Sequence, residues 1–308
     1  MSDNRMNVAV SVNSAYIMPL KAMLLSLAQN TDKKLHIYLL YCALNVSERK
    51  EVRAFVEGKC HGVLYEVFVD DKLFIKYPYA KSLWSVEIFF RLLLPYILDS
   101  DVEKILWLDA DIIVCGNVDS FYDTDMGRHY LCAAPDYSRN DLAKRLNLDS
   151  GQTYFNSGVL IMNLPMIRAD IPQEQLFGFM VRNRERMRFP DQDILNLVMG
   201  HNVMLFDELI YNNQGHLHGK VTKDARVIHY ILPAKPWKVY YYGDRYAASC
   251  FWRYAVQCGF RRSIFSLAGN SICRRLYAFY IKAKSGRLYA IYHELRSERP
   301  CQNKYDKT

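Results

Sequence analysis

Three short apolar runs, Asn7 to Val12, Leu35 to Tyr41 and Val63 to Val69, alternate with stretches of helical spacing, and this alternation constrains the fold more than any other feature of the chain. Pro19 opens a helical pattern that continues through Ala28 and stops at the polar Gln29-Asn30-Thr31-Asp32. Asn45 and Glu48 have the spacing of a capping box and predict a helix to about Glu57. The alternation of strands and helices argues for an α/β domain with helices on the faces of a mainly parallel sheet.

Val86 to Leu98 reads as an apolar helix with Arg91 in its middle, leading into a strand that ends at Asp109. Beyond it, Tyr130 to Pro135, Tyr154 to Asn163, Asn202 to Phe206 and Ala225 to Tyr230 read as short strands, with helices near Pro172 to Met187 and Asp191 to Met199. With 308 residues, 51% of them hydrophobic, the chain can bury one large core. Residues 1–249 form the expected domain, followed by a helical basic C-terminal tail over 250–308.

The formal net charge of +8 is confined to that tail. Residues 250–308 hold twelve Lys and Arg against three acids, which leaves the preceding 249 residues nearly neutral and disfavours a nucleic-acid groove across the fold. In the tail, Arg274, Arg275, Lys282, Lys284 and Arg287 interleave with Tyr277, Phe279, Tyr280 and Tyr289, a composition suited to a helix lying on an anionic membrane. An ordinary helix pair with a solvated basic face is the plainer alternative. The eight cysteines show no zinc-site spacing and read as reduced thiols. No signal peptide or bilayer-spanning run is visible, so a cytoplasmic protein, peripheral at the inner face of the membrane, is expected.

Asp109-Ala110-Asp111 lies between the apolar runs Ile105-Leu106-Trp107-Leu108 and Ile112-Ile113-Val114. Two carboxylates one residue apart at the end of a buried strand repel, and a divalent cation is their simplest partner. Taken alone, acidic pairs also end strands in many folds and only cap a turn. His229, within an apolar run, is followed by Lys235 in the proline-flanked Pro233-Ala234-Lys235-Pro236, a cation suited to a diphosphate. Asn156 and Ser157 precede Gly158 at the start of a strand, where glycine allows close backbone approach. Asp191, Gln192 and Asp193 stand at a helix N-terminus, where Asp191 in isolation reads as an N-cap.

In order along the chain, LWLDADIIV, YFNSGVLIMNL, FPDQDILN and HYILPAKPW resemble the motifs of the retaining glycosyltransferases of family 8, the group related to glycogenin and to bacterial lipopolysaccharide galactosyl- and glucosyltransferases. The resemblance runs from about Met6 to Trp237. It implies a GT-A fold, with Mn2+ (Mg2+ as the alternative) held by Asp109, Asp111 and His229 against the diphosphate of UDP-glucose or UDP-galactose. Two oxygens and an imidazole suit Mn2+ better than Ca2+. It further implies that Ser11, Asn13 and Tyr16 line the nucleotide site with Ala110, that Arg91 and Asp136 reach the donor sugar or its phosphates, that Asn156 and Asp191 bind sugar hydroxyls, and that Ser157 belongs to the donor site. Lys235 would neutralise the diphosphate. Gln192 would lie near the anomeric carbon, where an amide, being a poor nucleophile, favours front-face displacement. The acceptor would be a glycan or a lipid-linked glycan.

Two positions depart from the family pattern. Asn13 stands where an aspartate usually receives the uracil, and Leu232 stands where a glycine usually follows the histidine. Two other readings compete: a glycan-binding scaffold on a decayed transferase fold, and a phosphatase of the haloacid dehalogenase type using Asp109 and Asp111. The second places its acidic motif after the first strand of the domain, whereas three strands precede it here.

Overall fold

The computed structural model describes residues 4–74, 85–136, 140–214, 221–231, 235–238, 241, 243–261 and 276. The chain divides into two compact units, Met1–Ile231 with Asp244–Arg261, and Leu232–Gly243 with Arg262–Thr308. The expected basic tail, apart from residues 250–261 and 276, and the Leu232 position lie outside the described residues.

In the first unit the predicted alternation is present. Strand β1 (Arg5–Ser11) is followed by helix α1 (Ile17–Ala28), β2 (Lys34–Tyr41), α2 (Val46–Lys59) and β3 (Val63–Phe68). The capping box forms as its spacing requires, Asn45 Oδ1 accepting from Glu48 N at 3.0 Å and Glu48 Oε2 from Asn45 N at 2.9 Å. Such a cap stabilises a helix by about 0.5–2 kcal/mol. The segment Val86–Leu93 differs from expectation, being a 3-10 helix before a short α3 (Leu94–Ile97). Pro95 stands in the first turn of α3, where its missing N–H costs nothing.

Then follow β4 (Lys104–Leu108), β5 (Ile112–Val114), α4 (Asp119–Tyr122), β6 (Leu131–Pro135), α5 (Asn140–Leu146), β7 (Phe155–Asn163), α6 (Leu164–Asp170), α7 (Gln173–Asn183), α8 (Pro190–Met199), β8 (Val203–Leu205), α9 (Glu208–Tyr211), β9 (Val227–His229) and α10 (Arg245–Ala255). Seven strands pair in the order β3-β2-β1-β4-β7-β6-β8, and β5 pairs with β9 in a separate ribbon. Only β7 runs against the others in the large sheet. The chain leaves β1 in one direction through β2 and β3 and resumes on its other side with β4. That reversal opens a crevice beyond the carboxyl ends of β1 and β4, the place where ligands collect in open α/β sheets.

The reversed direction of β7 decides what lies at that crevice. Its register pairs Leu108 with Val159, so its first residues, Phe155 to Gly158, sit beside the end of β4. A large core cluster behind the crevice includes Phe89, Phe90, Trp107, Phe155 and Leu160, all at most 1% exposed. Helix α10 packs within this unit, Tyr254 Oη accepting from Asn30 Nδ2 at 3.0 Å and Ala247 O from Tyr230 Oη at 2.6 Å. The boundary expected at residue 249 therefore falls inside a helix of the first unit. The six cysteines among the described residues are free thiols, three of them buried. No helix among the described residues is long and apolar enough to cross a membrane.

Candidate active site

Asp109 leaves the end of β4 with its backbone N–H donated to Gly158 O at 2.9 Å, and Asp111 begins the turn into β5. Ribbon pairing sets Ile112 opposite His229, and Tyr230 N donates to Asp111 O at 2.9 Å, which carries the imidazole across to the two acids. His229 Nε2 lies 3.3 Å from Asp111 Oδ1 and 3.7 Å from Asp109 Oδ2, and one ligand atom from each residue falls within 4.8 Å of the others. Ligands about 2.1 Å from an ion lie roughly 3 Å apart when adjacent and about 4.2 Å apart when opposite, so the three residues fit a small divalent cation. The predicted triad is thus assembled by the fold.

Gly158 is the floor of this arrangement. A Cβ there would come within 2.2 Å of His229 Cε1 and 2.8 Å of Asp109 Oδ2. The close backbone approach expected of this glycine is made to the imidazole itself.

Arg91 joins the predicted residues from the other side. Its guanidinium donates to Asp109 Oδ1 at 2.9 Å and to Ser157 O and Oγ at 2.6 and 3.0 Å, and pairs with Asp191 Oδ2 at 3.1 Å. It also stacks 4.7 Å over Trp107, whose Nε1 donates to Asp109 Oδ1 at 2.9 Å. Burial pushes the Asp191 carboxyl above the usual carboxylate range against the pull of Arg91, and the neighbouring Asp109 charge adds to the rise.

Asp191 is not the cap of α8. Phe189 is the N-cap, and Asp193 reaches back to accept from Arg188 N at 2.6 Å and Phe189 N at 2.9 Å. Asp193 also accepts from Tyr154 Oη at 2.5 Å, and burial raises its carboxyl above the usual range. With the capping work done two residues later, Asp191 turns inward to Arg91 and to Ser157 Oγ, 3.1 Å away.

Gln192 is held by its oxygen. Oε1 accepts from Asn156 Nδ2 and from Ser157 N, both at 3.1 Å, while Nε2 donates to Asp136 Oδ2 at 3.3 Å. Asp136, Asn156, Ser157, Asp191 and Gln192 are all buried, so these polar groups are satisfied chiefly by one another.

Ser11, Asn13 and Tyr16 lie at and just beyond the end of β1, the strand adjoining β4. Ser11 Oγ donates to Glu87 O at 2.8 Å. Asn13 Oδ1 accepts from Ala15 N at 3.1 Å, capping the short 3-10 turn Ser14–Tyr16. Ala110 is buried between the two aspartates. Lys235 belongs to the second unit, where it is buried and its carbonyl accepts from Lys238 N at 2.9 Å.

Three contributors escaped the sequence reading: Trp107, Glu87 and Asn212. Asn212 is fully buried, and its Oδ1 lies 2.9 Å from His229 Nδ1. The run Asn212-Asn213-Gln214, three amides after an apolar turn, was the available signal.

A model of the family described as glycosyl transferase family 8 matches residues 7–240. A Haemophilus influenzae protein named only as a glycosyltransferase is 26% identical over 198 residues, 62% of this chain and 58% of that protein's length. An Escherichia coli lipopolysaccharide 1,2-glucosyltransferase is 24% identical over 247 residues, 75% of this chain and 73% of its own. Among solved structures, the galactosyltransferase LgtC, in complex with donor and acceptor sugar analogs, superposes with a TM-score of 0.72 at 23% identity, covering 84% of this chain and 98% of that one. The likeness of architecture identifies the two-sheet arrangement as a GT-A fold. Sharing the family's pattern across most of its length, with the acids, imidazole, guanidinium and amides gathered at one crevice, the chain belongs to glycosyl transferase family 8 and is a glycosyltransferase.

Proposed function

We propose that this enzyme transfers a hexosyl group, glucose or galactose, from a UDP-sugar to a glycan or lipid-linked acceptor with retention of configuration, using Mn2+ held by Asp109, Asp111 and His229. The convergence of that triad with the buried Arg91–Asp191–Gln192 network carries the reading. Relatives named as lipopolysaccharide glucosyl- and galactosyltransferases support the sugar and acceptor classes.

When bound, the cation supplies Lewis acidity toward the diphosphate of the leaving nucleotide. The remaining work falls to side chains. Arg91 holds Asp109 through Oδ1, leaving Oδ2 on the His229 side. Asp136, Asn156 and Asp191 bind sugar hydroxyls, and Ser11, Asn13 and Tyr16 bind the nucleoside at the end of β1. Lys235 places positive charge on the diphosphate, stabilising charge that grows as the glycosidic bond breaks. Gln192 stabilises positive character at the anomeric carbon. Its oxygen is already occupied by two donors and its amide is weakly nucleophilic, which supports front-face displacement over a covalent intermediate.

A screen of UDP release from UDP-glucose, UDP-galactose and their N-acetyl forms, in Mn2+ and in EDTA, tests this reading. Release from one of the unmodified hexoses, lost in EDTA and in Asp111→Asn but still measurable in Gln192→Ala, is expected. Normal turnover in Asp111→Asn overturns the metal assignment.

The basic aromatic segment supports peripheral contact with an anionic membrane at the inner face, where a lipid-linked acceptor would be met. Deleting everything from residue 250 would cut through α10, so the sharper test neutralises Arg274, Arg275, Lys282 and Lys284 to Gln in the full chain. Sedimentation with anionic vesicles should fall, and unchanged binding excludes the contact.

A further inference from the structure

Behind the metal triad a chain of buried amides runs from His229 to Gln192, and its direction is set by the backbone. Gly158 N donates to Asn156 Oδ1 at 2.9 Å, and a backbone N–H cannot be anything but a donor. Asn156 must therefore present its oxygen on that side and its Nδ2 toward Gln192 Oε1, 3.1 Å away. Ser157 N, donating to the same Gln192 oxygen at 3.1 Å, fixes the far end in the matching sense.

The near end follows by the same logic. The Asn212 amide meets Asn156 Oδ1 at 3.0 Å, and since that oxygen only accepts, Asn212 must bring its Nδ2. Its Oδ1 is then left to face His229 Nδ1 at 2.9 Å. Turning the Asn212 amide over would set oxygen against oxygen in a site where both asparagines are at most 6% exposed. A carbonyl oxygen facing Nδ1 requires a proton there. In neutral imidazole that leaves the lone pair on Nε2, the nitrogen facing Asp111 Oδ1 at 3.3 Å and Asp109 Oδ2 at 3.7 Å.

We propose that Asn212 is a positioning residue for this imidazole: its carbonyl oxygen keeps the His229 proton on Nδ1 and so keeps the Nε2 lone pair aimed between the two carboxylates. Ligating histidines owe their tautomer to the hydrogen bond made by the other nitrogen. Here the partner is an amide, whose own orientation is dictated by one backbone N–H two links away. The inference rests on reading the triad as a metal site, yet the tautomer is a property of the protein without metal.

The test uses the full chain labelled with 15N-histidine and freed of metal, at a pH raised until the His229 resonances stop moving. Wild type should show a protonated Nδ1 and an unprotonated Nε2; a protonated Nε2 overturns the proposal whatever any variant does. Mn2+ titration read by electron paramagnetic resonance of the free ion supplies the second readout. Asn212→Leu should lose the fixed tautomer and bind Mn2+ roughly 10–100-fold more weakly. Asn212→Asp, which still accepts from Nδ1–H although it sets an oxygen against Asn156 Oδ1, should retain the wild-type tautomer. Wild-type affinity in a folded Asn212→Leu overturns the proposal, and if that variant does not fold, loss of the Nδ1–H tautomer in Asn212→Asp does so. A wild type that binds no Mn2+ but shows the Nδ1–H tautomer refutes the metal reading and leaves the hydrogen-bond assignment standing.

Discussion

Two arginine–carboxylate clusters of similar bond length sit in the same unit and do opposite things. On the outer edge of the sheet, Glu66 of β3 receives Arg49 at 2.6 Å and Arg53 at 2.8 Å from α2, with side chains 19–39% exposed. At the crevice, Arg91 is shared between Asp109 at 2.9 Å and Asp191 at 3.1 Å, and its side chain is 5% exposed. The outer cluster gives Glu66 two cations, one of them also shared with Glu57 at 3.3 Å, whereas the inner one has two acids for one buried cation. Burial raises the Glu66 carboxyl, but hydrogen bonds from Arg53 and Arg49 outweigh it and hold Glu66 below its ordinary range. Asp191, buried and sharing its one cation, is held above its range by that burial. The lesson is that an ion pair's meaning lies in its stoichiometry and solvent. Beside the inner pair, Asp111 and His229 join Asp109 in the group that could hold a divalent cation.

The largest contrast should come from removing the shared cation. Arg91→Met leaves Asp109 and Asp191 without their buried partner and should destabilise the fold by about 3–5 kcal/mol in urea denaturation. A loss under about 1 kcal/mol would show that water or protonation of Asp191 already compensates. Next is Gly158→Ala, whose Cβ would overlap His229 Cε1. It should lower stability by about 1–3 kcal/mol. It should also weaken Mn2+ binding far more than that loss implies, because the displaced group is a ligand; unchanged Mn2+ affinity would separate the glycine from the site.

Smallest is the outer cluster. Arg53→Ala should cost about 0.2–1 kcal/mol, releasing Glu66 and Glu57 together. The pH dependence has opposite signs in the two places. The depressed Glu66 contributes stability that is present above its unfolded-state value and lost as pH falls through the folded one, so Glu66→Gln should flatten the acid limb of stability. The raised Asp191 makes the metal-free protein lose stability as pH climbs from the ordinary carboxylate range through the folded value, and 13C carboxyl titration should find the two groups on opposite sides of that range.

Much of this was legible in the linear chain because it is local. The capping box spans four residues, the strand–helix alternation repeats within one core, and Asp109-Ala110-Asp111 carries its flanking strands with it. His229 and Gln192 were legible through the resemblance of whole motifs, although no spacing in the sequence joins either to the acids. Misreadings were local, at the Arg91 segment and at the start of α8. The Arg91 segment is a 3-10 helix rather than an α-helix, and Asp193 rather than Asp191 reaches back to the backbone at the start of α8.

By itself, then, the sequence determined the parallel α/β half, the helix ends and the residue types available for a metal and a diphosphate, because periodicity and capping act between near neighbours. Only the tertiary structure decided which groups meet. The reversal of β7 brings Asn156 to Gly158 to the end of β4, and the β5–β9 ribbon swings His229 onto the acids. Asn212 reaches 17 residues forward and 56 back for its two partners. Strand direction and register set such contacts, and neither is written in the spacing of residues along one strand.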